Sequence, residues 1–114
     1  MSNEKEIYAV QILDKEKVGL HARPVAKIVA ITNDKKYKDT TVEVIKLPDN
    51  TDLNAPIKLT GKEIKANGKS ILSFIGLAVK HENKIAFIIQ GANSKEIIAG
   101  IKKVLKEEKL ISDK

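Results

Sequence analysis

The sequence predicts a two-layer α/β domain with helices on one face of a sheet, in the order β-α-β-β-α-β-α. Three observations carry that class. Tyr8, Val10 and Ile12 alternate with the residues between them, the period of a half-buried strand. Ala22, Val25, Ala26 and Val29 recur at intervals of three and four, the stripe of an amphipathic helix. Ile85-Ala86-Phe87-Ile88-Ile89 is a short, wholly apolar run, as an interior strand requires.

Taken in order, Ile7 to Leu13 is β-prone and leads into a polar connection, Asp14-Lys15-Glu16-Lys17. The first helix should start at or just after His21, because Gly19 permits a tight turn and Pro24 falls in the first turn, where its missing N–H costs nothing. Asn33-Asp34-Lys35-Lys36 ends it, and Thr40 to Ile45 reads as the second strand. Lys46 to Ile57 reads as loop: two prolines, two asparagines and two aspartates surround Leu47 and Leu53, and shortening Leu47–Pro56 should change stability little. Ile57-Lys58-Leu59 and Lys62-Glu63-Ile64 are both candidates for the third strand. Asn67-Gly68 is a turn signal, and a short helix can begin at Ser70. Its apolar residues, Ile71, Leu72, Phe74, Ile75 and Leu77, exceed what one buried face of two turns can use. His81-Glu82-Asn83-Lys84 is a polar turn in which His81 reads as a solvated residue. Asn93 with Glu96 three residues on forms a capping box for a last helix, with Ile97, Ile98, Ile101, Val104 and Leu105 on one face.

Composition bounds the function. A chain of 114 residues has room for one domain. With no cysteine there is no disulfide, thiolate nucleophile or cysteine-ligated metal, and two distant histidines do not make a zinc site. The first six residues lack the apolar core of a signal peptide, and no apolar run approaches the ~20 residues of a membrane span, so a soluble cytoplasmic protein is expected. The formal charge of +6 invites a nucleic-acid-binding reading. The lysines, however, are spread among 15 acids, and bases would find only Tyr8, Tyr37, Phe74 and Phe87 to stack on. The charge reads instead as solubility, with steering towards acidic protein partners.

Chemistry concentrates in Gly19-Leu20-His21-Ala22-Arg23-Pro24. At a helix start, unpaired backbone amides and the positive end of the helix dipole form an anion site, so a phosphoryl group on the His21 ring would be held by the backbone of Ala22 and Arg23. Arg23 is the only arginine among 21 basic residues: the one bidentate phosphate-binding fork stands two residues after the histidine. Gly68-Lys69-Ser70 matches the end of a nucleotide-binding P-loop, but the first glycine would fall at position 63, which is Glu63.

Gly19 to Pro24 resembles the active-site signature of HPr, the histidine-containing phosphocarrier of the bacterial phosphoenolpyruvate-dependent sugar phosphotransferase system. Asn67-Gly68-Lys69-Ser70-Ile71-Leu72 resembles the family's regulatory-serine segment, and the likeness covers most of the chain. The departures are an insertion around 47–56, between the second and third strands, and Val18, where many members carry a small polar residue. The resemblance implies an open-faced sandwich: a four-stranded antiparallel sheet with three helices on one face. It implies that His21 takes a phosphoryl group on Nδ1 from Enzyme I and gives it to an Enzyme II A domain, with Arg23 stabilising it. Such a protein is a monomeric carrier without cofactor or metal, not a stand-alone enzyme. Ser70 becomes a regulatory site for a serine kinase and phosphatase where the cell has them. Ile71, Leu72 and Ile75 become an exposed docking patch, with Phe74 and Leu77 turned to the core. Two alternatives are a regulatory paralogue working through Ser70 and partner binding, and a basic nucleic-acid-binding domain.

Overall fold

In the computed structural model, which describes residues 5–14, 17, 19–57, 59–61 and 63–111, the chain forms β1 (Lys5–Gln11), α1 (Ala22–Thr32), β2 (Thr41–Leu47), β3 (Lys65–Asn67), α2 (Ile71–Gly76), β4 (Lys84–Gln90) and α3 (Ser94–Glu107). A single 3-10 turn, Lys35–Tyr37, follows α1. The strands make one sheet in the order β1-β4-β2-β3, and every neighbouring pair is antiparallel. This is the expected open-faced sandwich.

A strand's period of two sorts its side chains between the faces. Val42, Val44, Ile85, Phe87 and Ile89 join Val25 and Ile28 of α1, Phe74 of α2 and Ile97, Ile101 and Leu105 of α3 in the main core. The core is aliphatic apart from Tyr37 and the place where Phe87 meets Tyr8, stacked at 6.1 Å, and Phe74, edge-on at 6.0 Å. Phe74 is the anchor that ties the six-residue α2 to the sheet.

Three expectations change. The third strand is neither candidate: it is Lys65-Ala66-Asn67, pairing Val44 with Ala66. Lys58 and Lys62 lie outside the described residues, but Leu59, Glu63 and Ile64 are not strand. Asn93 does not cap α3 with its side chain, because its backbone sits in the left-handed region (φ 66°), and Glu96 pairs with Lys36 at 3.1 Å instead. Leu47 closes β2, and the connection that follows is not indifferent to packing. On the face away from the helices, Ile45, Leu47, Ala86 and Ile88 form a second buried cluster, against which Leu53 and Ile57 pack.

Candidate functional site

His21 occupies the N-cap position of α1 with an extended backbone (φ −123°, ψ −175°), and its side chain makes no capping bond. In a helix beginning at Ala22, the amides of Ala22 and Arg23 have no intrahelical acceptor, and Pro24 has no amide to satisfy. His21, Ala22 and Arg23 are all exposed. The ring is oriented from behind: Nδ1 stands 3.3 Å from the Gly19 carbonyl.

Gly19 is required there on two counts. Its φ is +75°, and a Cβ would fall 2.4 Å from the Val79 carbonyl oxygen. The close approach is used, since the Leu20 N–H donates to that same oxygen at 3.0 Å. The Gly19 N–H donates to Asp14 Oδ2 at 3.0 Å. The loop before the histidine is thus fastened both to the end of the first strand segment and to the chain leaving α2. Val18 lies outside the described residues.

Arg23 is not idle. Its Nε–H donates to Glu108 Oε1 at 3.0 Å, while Lys27, one turn further along α1, donates to Oε2 at 2.8 Å. Glu108 follows the last turn of α3, where Lys109 (φ 58°) and the Leu110 N–H bond to the Leu105 carbonyl close the helix. The Lys27 ammonium first, and then Arg23, hold the Glu108 carboxyl below the usual carboxylate range. Asp14, His21, Arg23, Glu108 and Leu110 line a cleft of about 310 Å³. Larger hollows lie under the connection after β2 and beside Lys38 and Lys69, but neither contains the histidine.

The structure therefore brings His21 and Arg23 together and adds Glu108, Lys27 and Asp14, which sequence reasoning missed. It also corrects His81: far from being a solvated turn residue, its Nδ1 lies 2.9 Å from Asp14 Oδ1. Ser70 sits apart from this cluster, at the N-cap of α2, where its Oγ accepts the Ser73 N–H at 3.2 Å. Asn67, Gly68 and Lys69 before it are tied to the end of α1, with Thr32 and Asn33 side chains donating to the Gly68 and Lys69 carbonyls at 2.8 Å. On α2, Phe74 and Leu77 are buried, whereas Ile71 and Ile75 are 40% exposed and Leu72 is 85% exposed.

Fold and site define a small open-faced α/β protein that presents one histidine at a helix N-terminus, with an arginine two residues on. The family model described as "PTS HPr component phosphorylation site" matches residues 10–107. Phosphocarrier protein HPr of Mycoplasma genitalium is 33% identical over 101 residues, covering 89% of this chain and 96% of the relative; its counterpart in Mycoplasma pneumoniae is 27% identical over 103 residues, covering 90% and 97%. A solved Mycoplasma histidine-containing phosphocarrier protein superposes with a TM-score of 0.69 over 94% of this chain and 99% of its own, at 24% identity. The chain belongs to the HPr family of phosphocarrier proteins.

Proposed function

We propose that His21 is the phosphoacceptor, taking a phosphoryl group from Enzyme I and passing it to an Enzyme II A domain in sugar uptake. The observation that carries this reading is the exposed His21 ring at the start of α1, beside two amides without helical acceptors and the only arginine. The Nδ1 lone pair attacks phosphorus as the bond to the donor enzyme breaks, in the tautomer that carries the ring proton on Nε2. To reach that state the ring turns out of its 3.3 Å contact with the Gly19 carbonyl, which is long for a hydrogen bond and cheap to give up, and the exposed ring loses its Nδ1 proton to solvent while Nε2 takes one up. The amides of Ala22 and Arg23 then face a dianion, and the Arg23 guanidinium turns towards it. An open site suits a carrier, because each partner completes the active centre with its own groups.

Ile71, Leu72 and Ile75 form the docking patch for Enzyme I, supported by their exposure on a helix that buries only Phe74. Ser70 is the regulatory input, acting through charge placed next to that patch. The protein acts in the cytoplasm as a monomer, one domain with an insertion around 47–56. Incubation with phosphoenolpyruvate and Enzyme I should give acid-labile phosphate on the wild type and none on His21→Ala. Label persisting on that variant would refute the assignment.

A further inference from the structure

Behind the His21 loop lies a second histidine that the carrier reading leaves unused. Asp14 is 5% exposed, and a carboxylate at that depth is tolerated only when its oxygens are hydrogen-bonded. Oδ2 accepts the Gly19 N–H at 3.0 Å, and Oδ1 stands 2.9 Å from His81 Nδ1. An ionised carboxylate only accepts, so His81 carries a proton on Nδ1 in this contact. The His81 turn is itself stitched to the end of the first strand: the Glu82 N–H donates to the Ile12 carbonyl at 2.6 Å and the Ile12 N–H to the Asn83 carbonyl at 3.0 Å.

Gly19 is therefore anchored on both sides. Asp14 takes its N–H, and Val79 takes the Leu20 N–H across the next peptide. The carbonyl of that next peptide is the oxygen that meets His21 Nδ1. A chain of contacts runs from His81 through Asp14 and Gly19 to His21, wholly outside α1.

We propose that Asp14 and His81 are positioning residues for the phosphoacceptor: they set the Gly19 backbone and, through its carbonyl, the orientation and tautomer of the His21 ring. The inference rests on the reading that His21 takes the phosphoryl group. The pair does not touch that group; it decides where the ring waits before transfer. Because the Nδ1 contact with Gly19 is long, releasing it gains little, whereas a misplaced ring loses alignment with phosphorus.

The test compares His81→Leu, His81→Asn and Asp14→Asn with wild type by two readouts: the 15N shifts of the His21 ring nitrogens, and the rate of labelling by phosphoenolpyruvate and Enzyme I. His81→Leu should move the ring shifts towards the ordinary Nε2–H tautomer and slow labelling by about tenfold, well inside the ~100-fold that a misplacement of an ångström can cost. His81→Asn, which can still donate an N–H to Asp14, should stay within about twofold of wild type by the same geometric reasoning. Should Asp14→Asn fail to fold, His81→Leu still decides, since the His81 side chain is already 23% exposed. Ring shifts and labelling rate both unchanged in His81→Leu would overturn the proposal. A wild type that takes no label would instead overturn the carrier reading, and the ring shifts alone would then decide the positioning role.

Discussion

Glu108→Gln isolates what Arg23 does. One carboxylate, itself 8% exposed, holds two cations whose side chains are 71% (Arg23) and 50% (Lys27) exposed. Solvent on the cation side keeps each pair in the range of surface ion pairs, about 0.2–1 kcal/mol, rather than that of a buried pair. If Arg23 must turn to a phosphoryl group on His21, Glu108 opposes the phosphorylated state twice, by competing for the guanidinium and by repelling the dianion. Replacing the charge with an amide withdraws about 0.5–1 kcal/mol of that opposition, which raises the equilibrium ratio of phosphorylated to free protein by about two- to fivefold.

The assay is an equilibration of variant and wild type in one tube, with catalytic Enzyme I and a fixed ratio of phosphoenolpyruvate to pyruvate, read as phosphohistidine by 31P NMR. An equal or smaller phosphorylated fraction in Glu108→Gln refutes the competition argument. In an Arg23→Lys background the gain should shrink, because lysine lacks the fork that the phosphate would use. Arg23→Lys alone should slow transfer by about one to two orders of magnitude, since a charge-assisted hydrogen bond is worth roughly 1.5–3 kcal/mol.

Leu72→Ala should leave the unfolding free energy within about 0.5 kcal/mol of wild type, as for other exposed positions, while weakening Enzyme I binding measured by calorimetry; unaltered affinity would move the docking patch elsewhere. Ser70→Ala removes an observed cap and should cost about 1 kcal/mol in urea unfolding, whereas Ser70→Asp keeps the cap and should slow labelling of His21 without lowering the thermal transition. Leu53→Ala should cost about 1–2 kcal/mol because it strips a cover from the second apolar cluster; no loss would mean that the connection is merely tethered there. Glu63, which accepts the Thr60 and Gly61 N–H groups, has its carboxyl lowered to about 2 chiefly by the Thr60 bond. A depressed carboxyl stabilises the fold above its unfolded value and loses that contribution as pH falls towards the folded one, and the Thr60 and Gly61 amide resonances of the folded protein should titrate with a midpoint near pH 2, not near the ordinary 4.5.

The elements that were legible in the sequence are those whose burial follows a period. Tyr8, Val10 and Ile12 report β1, and Val25 and Val29 report α1, because apolar spacing is the direct imprint of a buried face. β3 leaves no such imprint: of Lys65, Ala66 and Asn67 only Ala66 is buried, and the strand exists because its backbone completes the edge of β2. Asn93 and Glu96 have the right residues for a capping box, but a left-handed backbone at Asn93 aims its side chain elsewhere, and residue identity does not report that. His21 and Arg23 stand out in the sequence because their spacing is local. Asp14 and His81 were missed because 67 residues separate them and each alone reads as an ordinary polar residue at a turn. Glu108 was hidden in the same way, as one acid in a lysine-rich helix end.

The placement of α2 explains how a helix of six residues can expose three aliphatic side chains and stay folded. Such a helix cannot hold itself together by its own hydrogen bonds. Here Ser70 caps its first turn, the Ser73 hydroxyl accepts the Asn67 N–H at 2.8 Å, and Phe74 is driven into the core against Phe87. Those anchors leave Leu72 without a share in the core and let Ile71 and Ile75 keep 40% of their surface exposed. At its other end the chain leaves α2 through Leu77 and Val79, both buried, and Val79 is the residue against which Gly19 closes. The proposed docking face and the proposed acceptor therefore share one support. The Val79–Leu20 hydrogen bond and the Gly19 contact fix the acceptor loop against the chain leaving α2, so on the proposed reading substitutions at Gly19 should slow labelling of His21 even where calorimetry shows that binding to α2 survives.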